Sequence, residues 1–272
     1  MVDYPGWYYP LLWGGLFVGT YLGLTGVNRL TGRKYELINQ RKERLFLASR
    51  TMTMTHALSA LYFTGKVMFG NDPHWTINNT TAQNHMLGMS VGYFMYDLVY
   101  LNICEFSWIY NAHHLLSISS IGSQWLSGVG GYHGACLMFL AEITNPIQII
   151  WDIARIYRHR YPLATRLYRL ITPLYVYFFF LVRGLMVPST SVYHWWVWNN
   201  EPIAVWLTRW WSLLGILLNG AGFWWIRMMV RKFILNSDKT KSNTIENRKE
   251  KNKTENMMEN KTENMMEDKD EK

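Results

Sequence analysis

Residues 132–154 read YHGACLMFLAEITNPIQIIWDIA. A helix crossing a bilayer needs about 20 mostly apolar residues, and this stretch supplies them. It also carries Glu142, Asn145, Gln148 and Asp152 at steps of three and four. That spacing sets the polar groups on one helical face. An ionisable group at mid-membrane costs roughly 2.5 to 3.5 kcal/mol on insertion scales, so such a face turns toward a bundle interior. The segment therefore predicts an all-α membrane protein built as a helical bundle.

Six further stretches extend this reading: residues 8–26, 46–69, 86–103, 113–129, 170–187 and 203–228. Segments 46–69, 132–154 and 203–228 meet the length requirement easily, and the others are shorter. The loops test the count. Residues 27–45 hold Arg29, Arg33, Lys34, Arg41, Lys42 and Arg44, and residues 155–170 hold Arg155, Arg158, Arg160, Arg166 and Arg169. Arg231 and Lys232 follow the last span, while segments 1–7, 70–84 and 188–202 contain no Lys or Arg. About seven spans, with the N-terminus outside and the C-terminus cytosolic, put each basic cluster in the cytosol. Dropping one middle span would put one cluster on the wrong side. Lys66 and Arg209 fit less well and are expected to snorkel outward.

The mean hydropathy of −0.08 blends an apolar bundle with a polar tail. The net charge of +8 arises mainly in short juxtamembrane loops. There it sets orientation and meets anionic headgroups, so nucleic acid is not an expected partner. The 14 Trp and 17 Tyr suit an interfacial belt, as at Trp7, Tyr8, Tyr9, Trp13, Tyr193, Trp195, Trp196 and Trp198. Asp3, with no basic residue before the first apolar run, argues against a cleaved signal peptide. Cys104 and Cys136 fall at opposite membrane faces in this topology and are expected to stay unbridged. The tail repeats Asn252–Glu259 as Asn260–Glu267 and has no aromatic residue, which predicts disorder. Three regions follow: 1–40, a first helix and basic loop; 41–235, the main domain; and 236–272, a low-complexity tail. Asn78 and Asn79 both begin glycosylation sequons in the expected outer loop.

The polar face of residues 132–154 has counterparts. Ser90, Tyr93, Asp97 and Tyr100 share a face of the third span, and His113, Ser117, Ser120 and Gln124 share one of the fourth. Thr55, His56 and Ser59 lie in the second span and Arg183 in the sixth. A polar seam is the expectation, with interhelical hydrogen bonding as the plainer role for its Ser and Thr. Depth along each span, at about 1.5 Å per residue, predicts two buried pairs: Glu142 with Arg183, and Asp97 with His113 or His114. No cofactor is expected. A retinal protein needs a Lys deep in the last span, and residues 203–226 have none. The third span ends Leu101-Asn-Ile-Cys-Glu105, without the Arg usual in G-protein-coupled receptors. A zinc amidase would gather several His with an Asp. His56, His85, His133 and Asp97 are the available set, but lack tight spacing, so no metal ligands are assigned.

Residues 50–56, Gly92-Tyr-Phe-Met-Tyr-Asp97, Asn111-Ala-His-His114, Phe139-Leu-Ala-Glu-Ile-Thr-Asn-Pro146 and Leu181-Val-Arg183 occur in one order on successive spans. In this, residues 41–235 resemble the TLC-domain family, the relatives of ceramide synthases and of the translocating-chain-associating membrane protein. The resemblance implies a bundle that acts on, senses or carries lipids, commonly at the endoplasmic reticulum or another endomembrane. Catalytic ceramide synthases follow their His-His pair with His-Asp-x-x-Asp. Here His133 has no Asp beside it, and Glu142 to Pro146 resembles the branch outside the synthases. The expected role is therefore in membrane lipid composition, sensing or trafficking, with membrane lipids as partners and Tyr93, Asp97, Glu142, Asn145 and Arg183 lining the seam. Two alternatives stay open: a lipid acyltransferase with His113 or His114 as general base, and a transporter with a polar path.

Overall fold

The computed structural model describes residues 8–35, 41–70, 78–104 and 107–231. The repeats of the tail, Arg33 and Lys34 as side chains, and the loop 71–77 lie outside what is described. Residues 1–226 form one compact unit; of the second, 227–272, only 227–231 are described.

Helices make up nearly all of the described chain. They are α1 (Tyr8–Tyr35), α2 (Arg41–Phe69), α3 (Thr81–Cys104), α4 (Trp108–Ser127), α5 (Gly131–Glu142), α6 (Asn145–Tyr157), α7 (Pro162–Phe179), a π-helical segment (Phe180–Met186), α8 (Val187–Asn200) and α9 (Val205–Arg231). Taken as rods they number seven, because α5–α6 and α7–α8 each continue through a local break. Among the described residues the only extended pairing is an isolated bridge between Asn78 and Val129.

Three rods are long and apolar enough to cross a membrane: Gly131–Tyr157, Pro162–Asn200 and Val205–Arg231. The second segment, expected among the easiest, is not one of them. Its Arg50, His56 and several Thr and Ser dilute the apolar content of α2. The sixth is longer than expected: most of the expected loop 188–202 is helix.

Both breaks have a chemical cause. Pro146 lacks an N–H and cannot bond back one turn, so α5 ends at Glu142 and α6 restarts at Asn145. Pro188 does the same at the start of α8. There the chain widens instead of breaking: the Val187 N–H reaches back five residues to the Val182 carbonyl, which gives the proline ring room.

The core centres on α1, α2, α3 and α5, where Phe17, Met52, Leu87, Met89, Tyr93 and Met138 interlock. Gly88 and Gly92 are four apart on α3 and let α1 approach. A Cβ on Gly92 would sit 2.6 Å from the Pro10 carbonyl oxygen and 2.8 Å from the Gly14 nitrogen. This is the small-residue contact by which membrane helices pack closely.

Candidate functional site

Polar side chains of α2, α3, α4, α5, α6 and the π segment converge inside the bundle. Arg50, Thr53 and His56 repeat every three residues along one face of α2. The Tyr93 hydroxyl donates to Thr53 Oγ1 at 3.1 Å. The His56 ring stacks on Tyr93 with centroids 3.9 Å apart and planes within 6°. His56 Nε2 lies 3.2 Å from Ser90 Oγ, and its Nδ1 lies 3.6 Å from Glu142 Oε2. Asn145 Nδ2 donates to that same carboxylate oxygen at 2.7 Å. One chain of contacts thus runs Ser90, His56, Glu142, Asn145.

This order resembles a Ser-His-acid relay, but the geometry is structural. Ser90 and His56 are fully buried, and the Ser90 hydroxyl is turned to Met138 Sδ at 3.0 Å. A nucleophile needs a reachable reacting centre and a base within hydrogen-bond distance of its orienting acid. Here the histidine-to-acid distance is too long for a hydrogen bond.

Closer to the α3 C-terminus, His114 Nε2 and Asp97 Oδ2 are 2.5 Å apart, with both side chains largely buried. Of the two histidines expected as partners of Asp97, it is His114 that meets it. Direct contact is made because α3 and α4 pack side by side along most of their length. His113 takes a different course: its ring meets Trp225 edge-on at 5.0 Å. Near the basic end, Arg50 Nη1 lies 3.5 Å from Asp152 Oδ2, and Arg155 Nη2 bonds Asp152 Oδ1 at 3.0 Å.

The second expected pair is not formed. Glu142 and Arg183 make no direct ion pair, although they remain within electrostatic reach. Arg183 Nη2 instead donates to the Ala141 carbonyl, and its Nε approaches Thr144 Oγ1 at 3.5 Å. The reason lies in the break after α5. An interrupted helix leaves carbonyls without their usual partners, and a buried backbone acceptor draws a charged donor. Arg183 thus seals the break, and Glu142 turns to His56 and Asn145. Thr55 also departs from expectation: it is exposed and bonds the Thr51 carbonyl of its own helix at 2.9 Å.

Several buried polar atoms in this region have no hydrogen-bond partner among the described residues: Arg50 Nε, His113 Nδ1, His114 Nδ1 and Asn111 Oδ1. They flank the Asp97–His114 pair in sequence or through space. The His56, His85, His133 and Asp97 set does not converge. His85 Nε2 accepts from Trp13 Nε1 at 3.0 Å, and the His133 ring packs on His194 at 4.5 Å. Among the described residues no three His, Cys, Asp or Glu side chains are gathered as metal ligands. Cys136 is buried and free.

The two sequon asparagines differ. Asn79 Nδ2 donates to the Gln124 carbonyl at 2.9 Å and to Asn84 Oδ1 at 3.1 Å. Its Oδ1 accepts from the Gly131 N–H at 2.7 Å. Asn79 therefore joins α3 to the turn between α4 and α5, while Asn78 is exposed.

Sequence reasoning assigned no seam role to Arg50, Thr53 and Thr144. The signal for the first two was present, because Arg50, Thr53 and His56 share a helical face. Thr144 gave none, since its role depends on a break that brings Arg183 to it.

A family model described as the TLC domain matches residues 47–231. A TLC domain-containing protein of Arabidopsis thaliana is 28% identical over 150 residues, covering 52% of this chain and 58% of that relative. The chain thus spans a little over half the length of the curated relative. No solved structure matches. The family match covers more than half of the chain, and the chain belongs to the TLC-domain family.

Proposed function

We propose that this TLC-domain protein is a seven-span endomembrane protein that takes the polar head of a membrane lipid into its seam. Its role on this reading is in membrane lipid composition, sensing or trafficking, not ceramide synthesis. The observation that carries the reading is the set of unpartnered buried atoms, Arg50 Nε and the Nδ1 atoms of His113 and His114, around the Asp97–His114 pair. Buried polar groups left unpaired cost about 1 to 3 kcal/mol each, so such a cluster favours a polar occupant. Tyr93, Asp97, Glu142, Asn145 and Arg183 frame the seam. The absence of the synthase-type acidic motif beside His133 supports a non-synthase role.

A second reading is favoured by one contact. Asp97 holds His114 Nε2, which orients the ring and leaves Nδ1 free to take a proton in an acyl transfer. Lipidomics separates the two. Cells expressing the wild type should show altered lipid composition without a new acylated class, and His113→Ala/His114→Ala at equal expression should abolish the change. A new acyl product made by the wild type and missing in the double variant would establish the transferase instead. A lipid profile identical in cells expressing the wild type, the double variant or neither would end both readings.

The alternating basic loops support an N-terminus outside and a cytosolic tail. Protease added to sealed microsomes should digest a tag at Lys272 and spare one inserted beside Asn78. The opposite pattern would invert the topology.

A further inference from the structure

The structure holds a second feature, apart from the seam. Between α2, α6 and α7 lies an open groove of about 470 Å³, within the range of roughly 300 to 1,000 Å³ usual for ligand sites. Its lining is almost wholly apolar and includes Leu47, Ile150, Ala154, Leu163, Ala164 and Leu167. Leu163 and Ile150 are well exposed, at 68% and 43%.

Tyr157 and Tyr161 also line the groove, and they bracket the linker Arg158-His159-Arg160. Arg158 lies over the Tyr168 ring at 4.7 Å, and Arg155 lies over Trp151 at 5.0 Å. Among the described residues, the half-exposed Arg160 side chain makes long contacts of 3.4 Å to Glu43. The first turns of α7 add Arg166 and Arg169. On a helical wheel these two fall on the side away from Leu163, Ala164 and Leu167, so an apolar strip runs beside a basic one. The facing carboxylates are Glu43, on Arg160, and the largely buried Asp152, held by Arg50 and Arg155. Positive charge is left in excess where the apolar groove ends.

We infer that this groove and its arginine rim bind one anionic glycerophospholipid, with an acyl chain along α6 and α7 and the phosphate at Arg158 and Arg160. A zwitterionic lipid fills the groove equally well but gains little from the rim. Basic clusters beside apolar interhelical pockets recognise anionic headgroups for this reason. The inference does not depend on any ligand in the seam.

The test uses the purified full chain in detergent, titrated with dioleoyl phosphatidylserine or dioleoyl phosphatidylcholine and read by native mass spectrometry. The wild type should retain the serine lipid preferentially. Arg158→Gln/Arg160→Gln should weaken that binding about 25-fold, the worth of two interfacial charges. Ala164→Phe, which fills the groove, should weaken both lipids and leave the headgroup preference. Lys66→Gln, far along α2, should bind as the wild type does. A wild-type comparison stands even if a variant fails to fold: dihexanoyl phosphatidylserine, too short to occupy the groove, should bind far more weakly than the dioleoyl form. Equal retention of the two headgroups by the wild type would overturn the proposal. So would unchanged binding in the double arginine variant, or equal binding of short and long chains.

Discussion

Asp97 and His114 meet at 2.5 Å near the C-terminal end of α3, while at its other end Asn79 spends its amide on Gln124, Asn84 and Gly131. Around the first contact lie charges: Arg50, Asp152 and Arg155. Around the second lie amides and rings. Trp211 Nε1 donates to Ser123 Oγ at 2.9 Å, and Trp211 and Trp198 pack at 5.2 Å. A Cβ on Gly130, whose φ is +81°, would come within 3.0 Å of the Trp211 ring. Both ends join α3 to α4, yet by different physics. A buried hydrogen-bonded pair of ionisable groups costs most when one member is removed and the other is left without its partner. Neutral hydrogen bonds cost less when broken and tolerate more change around them.

The largest effect is expected from splitting the Asp97–His114 contact. Asp97→Leu or His114→Leu alone should destabilise the protein by about 3 to 5 kcal/mol, because the survivor is a buried group without its partner. The double change should recover much of this. Thermal melts of the four proteins in one detergent form the cycle, and additive losses would show that the contact carries no coupling.

At the other end Asn79→Ala should cost about 1 to 3 kcal/mol, since it frees the Gln124 carbonyl and the Gly131 N–H together. Asn78→Ala should cost less than Asn79→Ala, because Asn78 is exposed. Equal losses for the two would mean that Asn79 does not staple the turn.

The smallest effect concerns Glu142 and Arg183. Each change to Gln should lower stability, because each residue has partners of its own. Their coupling should stay below about 1 kcal/mol, the residue of a charge attraction without contact. A coupling as large as that of Asp97 with His114 would restore the ion pair that the depth estimate predicts.

These contrasts also mark what was legible before folding. The polar faces of α3 and of α5–α6 follow from spacing alone. A helix has one period, and a charge in an apolar rod has one direction in which to turn. The choice of His114 over His113 was not legible. Adjacent residues point about 100° apart, and only the way α3 and α4 pack decides which of them meets Asp97. The expected sixth span ends at residue 187, just before Pro188, whereas the rod reaches Asn200. A helix that widens by one residue per turn keeps going through the proline.

By itself the sequence determined the class, the number of rods and the faces that carry polar groups, since periodicity and hydropathy act within one helix. Tertiary structure alone decided the partners. Arg183 went to the broken end of α5 and not to Glu142, because an opened backbone carbonyl is a strong acceptor that no linear pattern displays. His56 became the centre of the seam, stacked on Tyr93 and set between Ser90 and Glu142, because three helices, α2, α3 and α5, deliver those groups to one place. The arginine-rimmed groove likewise exists only where α2, α6 and α7 lie together, because Leu47 of α2 is about a hundred residues before the α6 and α7 residues that it joins.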